Sequence, residues 1–144
     1  MLITKFIEIE MGHKVTHHKG SCRFLHGHHY KIEVGVDDKV IIKKGSSDEG
    51  FVIDFKDLKD IMVEEIDIKF DHGFCLYIHD PYTKIFKQYF TQNKTIFVDF
   101  IPTAENLAKH WYNLIKPKLK RRNIKIKFVK VWETPTSTAR YERT

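Results

Sequence analysis

HGHHYKIEVGV, residues 26 to 36, alternates with a period of two: Tyr30, Ile32, Val34 and Val36 share one face, and His29, Lys31 and Glu33 the other. No other stretch restricts the fold as tightly, because a strand with one apolar face must bury it against another layer. Carried backwards, the same period puts His26 and His28 on the apolar side. Their side chains then leave one face with Cα atoms about 7 Å apart, a separation that lets two imidazoles meet one ion. His13 follows an earlier alternating segment, residues 2 to 9, and becomes a third ligand if the two strands pair. Three histidines without a fourth strong ligand describe a zinc site with an open position, the catalytic kind. An ordinary surface or core histidine pair fits His26 and His28 alone equally well.

The rest of the chain supplies layers for that strand. KVIIKK, 39 to 44, reads as its hairpin partner, followed by the loop GSSDEG. Asp54 is placed to cap a helix carrying Phe55, Leu58, Ile61, Met62 and Ile66 at helical spacing. Residues 81 to 90 form a shorter helix behind Pro81, and 94 to 100 a strand. Pro102 and Thr103 open a long helix with Leu107, Ala108, Trp111, Leu114 and Leu119 inward. In the last strand, 124 to 133, the alternation slips at Phe128–Val129, so either a bulge sits there or both faces are buried. The expected plan is α+β, a four-stranded antiparallel sheet with two helices packed on one face.

With 144 residues, a 42% hydrophobic fraction and no repeat or linker, residues 1–144 read as one domain. No apolar run approaches the roughly 20 residues of a membrane span, and MLITKFIEIEMG reads as a strand, not a signal peptide. Two cysteines are too few for a secreted disulfide framework, which points to reduced thiols and a cytoplasmic setting. The net charge of +6 favours an anionic partner: nucleic acid, an acidic membrane or a phosphorylated small molecule. KPKLKRRNIKIK, 116 to 127, is the densest basic stretch and reads as a solvated face.

Four further groups carry chemistry. Cys22 stands among His17, His18, Lys19 and Arg23, a positive neighbourhood of the kind that favours a reactive sulfur. Fourth metal ligand, nucleophile, general base and inert loop thiol all remain open for it. Cys75, in GFCLYI, reads as a core thiol. Asp71–His72 is an aspartate beside an imidazole, a usual way to tune an acid or base, although sequence neighbours need not touch. Glu133 ends an apolar strand, as a solvated group or as a bidentate acceptor for an aminopyrimidine edge, and Glu105 sits in a helix first turn.

GHKVTHH, CRFLHGHHY, GFVIDFKDLK, the DH of KFDHGF, and PTAENLA with VWETPTSTARY together resemble the family of 6-pyruvoyltetrahydropterin and 6-carboxytetrahydropterin synthases. They occur in the family's order over nearly the whole chain. Three residues separate Cys22 from His26, a spacing similar to the carboxy branch; the pyruvoyl branch carries a longer spacer. The resemblance implies zinc held by His13, His26 and His28, Cys22 as general base, Asp71 and His72 as a second proton-transfer pair, and Glu133, helped by Glu105, as pterin anchor. It implies conversion of 7,8-dihydroneopterin triphosphate to 6-carboxytetrahydropterin with release of acetaldehyde and triphosphate, in 7-deazaguanine and queuosine synthesis. Lys14, Lys19 and Arg23 are the nearest triphosphate contacts. It also implies a tunnelling fold whose subunits close a barrel as a homo-oligomer, trimer or hexamer, with Glu133 serving a neighbour's zinc and no nucleic-acid or membrane partner. Gly12 replaces the family's usual alanine, a reduction in size expected to be harmless, and residues 74 to 100 exceed the expected length. The rival readings are a pyruvoyl synthase, a basic metal- or nucleic-acid-binding module, and a metal-free thiol hydrolase using Cys22 and His72.

Overall fold

The computed structural model describes residues 1–144. Strands β1 (Leu2–His13) and β2 (His26–Asp37) pair antiparallel throughout, from Leu2 opposite Asp37 to His13 opposite His26. The predicted alternation holds: Tyr30, Ile32, Val34 and Val36 are fully buried, facing the same side as Ile7, Ile9 and Met11. The first strand runs past residue 9 to His13 because β2 offers it a partner over that whole length.

Strands β3 (Gly73–Tyr77), β4 (Thr95–Val98), β5 (Ile126–Thr134) and β6 (Ser137–Glu142) complete a six-stranded sheet in the order β4-β3-β1-β2-β5-β6. β3 runs parallel to β1 and β4 parallel to β3; the other pairs are antiparallel. The expected four-stranded antiparallel sheet is therefore corrected to a six-stranded mixed one. GFCLY is too short to show a period, and the edge strand STARYE buries too little to announce itself. KVIIKK is not a strand partner of β2, whose two edges are taken by β1 and β5. Instead the chain folds on itself, the Ile41 N–H donating to the Phe51 carbonyl and the Gly50 N–H to the Ile41 carbonyl, both at 2.8 Å.

The slip foreseen in β5 is a bulge. Gly35 faces Phe128 but Val36 faces Ile126, so Lys127 is the extra residue. Ile126 thereby joins Val129 and Val131 in the core, and Phe128 turns to the other face over Gly35. A Cβ on Gly35 would lie 2.2 Å from that ring, so only glycine fits there.

Helix α1 (Phe55–Met62) starts at Asp54, whose carboxylate accepts the Lys56 N–H at 2.7 Å, a cap worth about 1 kcal/mol. It continues through a π-helical turn, Val63–Asp67, into the short α2 (Ile68–Phe70). Leu58, Ile61, Met62 and Ile66 are buried, while Phe55 is exposed. Helix α4 (Ala104–Lys120) is capped by Thr103 and buries Leu107, Ala108, Trp111, Tyr112, Ile115 and Leu119; Leu114 is half-buried. Helices α1 and α4 cover the face carrying Tyr30 and Ile32, as expected. A third helix, α3 (Thr83–Tyr89), lies against the opposite face, with Phe86 packed on Phe74 at 5.1 Å between ring centroids. No helix is long and apolar enough to cross a membrane.

Candidate functional site

His13 and His26 are cross-strand partners, and His28, two residues along β2, points to the same face. Their ligand nitrogens lie within 4.8 Å of one another, so the sequence-predicted triad forms and this group could hold a metal ion. Tyr30, next on that face, floors the cluster, with its ring edge-on to both His13 and His28.

The hydrogen bonds decide what the rings offer. His13 Nδ1 lies 2.7 Å from the Pro102 carbonyl, and His26 Nδ1 lies 2.7 Å from the Phe24 carbonyl. A carbonyl only accepts, so in each neutral ring Nδ1–H donates and Nε2 keeps its lone pair. Those two Nε2 atoms face each other at 3.0 Å. Bare lone pairs repel at that distance unless a cation lies between them. His28 Nε2 is buried with no hydrogen-bond partner, which is costly for a polar atom. Burial pushes His13 down to about 4 and lowers His28 as well, against the opposing pull of Glu133. Three imidazoles whose ring nitrogens converge fit a metal ion.

Beside the triad, Val15, His18, Cys22, Thr103, Ala104, Glu105, Glu133, Ser137 and Thr138 line a cavity of about 280 Å³. Glu133 joins the two features, since its Oε1 is 3.7 Å from His13 Nε2 in the same chain. Within one chain the carboxylate thus reaches the triad of its own copy. Cys22 is half-buried on a 3₁₀ turn (Ser21–Arg23), and its carbonyl accepts the Val15 N–H at 2.8 Å. His18 joins the cavity without having been singled out for it; one histidine among nine carries no spacing signal. The Pro102 and Phe24 carbonyls were equally invisible, being main-chain atoms placed by the fold.

Asp71 and His72 do touch, with His72 Nδ1 donating to Asp71 Oδ2 at 2.7 Å. Asp71 Oδ1 accepts the Glu10 N–H and the His72 N–H donates to the Glu10 carbonyl, which pins the pair to β1. Burial raises the Asp71 carboxyl, but these donors outweigh it and hold the group below the usual carboxylate range. His72 takes the left-handed conformation, φ 57°, and lines a hollow with Glu10, Gly12, Gly27 and His29. Glu10 and His29 alternate with the triad residues and so face the other side of the sheet, although His28 also borders the hollow; His72 does not line the cavity that holds Cys22. Nor does Lys14 face a ligand: it is buried and donates to Asp80 Oδ2 at 2.6 Å. The triphosphate expectation fails for Lys14 because its charge is already committed. Arg23 braces its own turn, donating to the Lys19 and Gly20 carbonyls. Burial puts the Cys75 thiol up at about 12, consistent with a core thiol.

Residues 2–144 match the family model described as 6-pyruvoyl tetrahydropterin synthase. The chain is 37% identical over 133 residues to a 6-carboxy-5,6,7,8-tetrahydropterin synthase from Rickettsia conorii, covering 92% of this chain and 93% of that protein. The enzyme of the same name from Haemophilus influenzae is 34% identical over 145 residues, covering 97% of each. Among solved structures, an uncharacterized protein from Wolinella succinogenes aligns with a TM-score of 0.79 at 22% identity, over 100% of this chain and 98% of that one. The Caenorhabditis elegans 6-pyruvoyl tetrahydropterin synthase aligns with a TM-score of 0.69 at 20% identity, over 100% and 96%.

Proposed function

This chain belongs to the 6-pyruvoyl tetrahydropterin synthase family, and from that premise we propose that it is a zinc-dependent 6-carboxy-5,6,7,8-tetrahydropterin synthase, with residues 1–144 acting as one synthase domain. The supporting observation is three imidazoles with converging nitrogens next to a cavity that holds both Cys22 and Glu133. Relatives carrying the carboxy name at 34–37% identity and the short Cys22–His26 spacer favour that branch. The solved pyruvoyl synthases share the fold at lower identity.

His13, His26 and His28 would hold zinc, which when bound acts as a Lewis acid on substrate oxygens and acidifies neighbouring C–H and O–H groups. Glu133 accepts paired N–H donors of the pterin ring with its two oxygens, and Glu105 lines the same cavity for the ring's outer edge. Cys22 takes a proton from the substrate side chain. His72 serves the second proton transfer through Nε2, its Nδ1 proton held by Asp71. That imidazole does not line the cavity that holds Cys22, which supports a homo-oligomer, trimer or hexamer, completing each site at a subunit boundary. Exposed edges on β4 and β6 supply a physical reason for such a barrel, because closure between copies removes them. The free thiols of Cys22 and Cys75 agree with a reducing cytoplasm. A route to queuosine and other 7-deazaguanines is the natural use of the product.

The test is incubation of the zinc-loaded protein with 7,8-dihydroneopterin triphosphate and identification of the released carbon fragment. Acetaldehyde with triphosphate supports the proposal. Triphosphate release with the three-carbon chain retained would assign the pyruvoyl activity instead, and turnover undiminished by chelation would sink the zinc assignment.

A further inference from the structure

We infer that Asp80 is a positioning residue that clamps the loop carrying Cys22. The inference rests on the reading of Cys22 as a group acting on substrate beside the triad. Residues 14 to 16 follow the end of β1, with Thr16 already in a turn, and their side chains part company. Val15 lines the cavity with Cys22, while Lys14 and Thr16 both turn to Asp80. Lys14 Nζ and Thr16 Oγ1 donate to the same oxygen, Asp80 Oδ2, and the Tyr82 N–H donates to Oδ1 at 2.7 Å. All three side chains are buried, and the Lys14 ammonium also lies 4.3 Å from the centre of the Tyr82 ring.

A buried ion pair is weak evidence for stability, since apolar replacements of similar volume often do as well. What this pair provides is a fixed relation between two segments far apart in sequence. Asp80 sits in a tight turn after β3: its N–H donates to the Tyr77 carbonyl, its carbonyl accepts the Thr83 N–H, and Thr83 Oγ1 donates to Tyr77 as well. β3 is paired to β1 with Cys75 opposite His13. The turn is thus rigid relative to the metal-ligating strand. Holding Lys14 and Thr16 orients Val15 between them, and the Val15 N–H in turn holds the Cys22 carbonyl. The route from Asp80 to the sulfur is two hydrogen-bonded steps long. The long 74 to 100 segment thereby serves a loop it does not adjoin in sequence.

Three variants test this on the zinc-loaded protein. Thr16→Val removes one donor with little change of volume. Asp80→Asn keeps an acceptor but leaves Lys14 without a counter-charge, and Lys14→Met with Asp80→Leu replaces the pair by apolar groups if the single change does not fold. The readouts are the rate of Cys22 alkylation by iodoacetamide in the folded protein, bound zinc, and kcat against KM. Cys75 is buried, so the fast-reacting thiol reports the loop. A positioning role predicts an altered alkylation rate, by about tenfold as the loop samples open forms, with zinc stoichiometry retained. It predicts kcat lower by roughly 10- to 100-fold and KM little changed. A lowered melting temperature with native alkylation rate and native kcat would make the cluster merely structural and overturn the inference. If Cys22→Ala turns over like the wild type while the variants still change alkylation, the clamp stands and the role given to Cys22 falls.

Discussion

The histidine triad and the Asp71–His72 pair use the same side chains and are held in opposite ways. His13 is fully buried, locked through Nδ1 by the Pro102 carbonyl just ahead of α4, and kept neutral by burial. His72 is 78% exposed at its side chain, strained into positive φ, and held by an aspartate one residue away. A ligand must stay deprotonated and motionless, which a strand interior provides. A group that passes protons needs access to a substrate that arrives and leaves, which a strand end provides. Under the proposed roles, one sheet serves both needs by placing them at different depths and on different faces.

The largest expected effect comes from breaking the buried half. His28→Ala should lose bound metal and turnover together, measured by metal content of the purified protein and by product formation. Cys22→Ala should keep stoichiometric metal while turnover falls by about 10²- to 10⁴-fold. In the exposed half, His72→Ala should lower turnover by about 10²-fold without moving the metal content or the melting temperature. A drop in bound zinc on that substitution would erase the contrast between the two regions.

Gly12 lies between them, next to His13 and in the wall of the His72 hollow. Its smallness is not neutral: a Cβ there would sit 2.5 Å from the Phe74 ring, which already fills the space. Gly12→Ala should destabilise by about 1–3 kcal/mol, and pairing it with Phe74→Leu should recover part of that, as read by denaturant midpoints. The smallest effect concerns acid. Burial pushes His13 down to about 4 from an ordinary 6.5, so over that interval the unfolded chain binds a proton that the folded one does not. The metal-free protein should therefore be fully stabilised by this group above pH 6.5 and lose that contribution as pH falls towards 4. Urea midpoints at pH 7 and pH 5 check it, and equal midpoints would contradict a buried neutral His13.

Much of the site was legible because it rests on a period of two. Once His26 and His28 continue the face of Tyr30 and Ile32, their place beside the core follows, and His13 needs only a strand partner to meet them. The helices over the core were equally readable from Leu58, Met62, Leu107 and Trp111. β3 and β6 were not, the first being too short to alternate and the second too exposed to look like a strand. KVIIKK misled because both edges of β2 were already occupied: Val40 packs against the core but Ile42 is left exposed.

The amino-acid order alone determined which side chains share a face, and with it the triad, since alternation is a local property of an extended backbone. Only the tertiary structure decided that Lys14 belongs to Asp80 rather than to a phosphate, and that Glu133 returns to its own histidines. It likewise put His72 outside the cavity that holds Cys22. Those outcomes depend on which distant segment arrives to satisfy a buried charge or an open strand edge, and no local pattern encodes that.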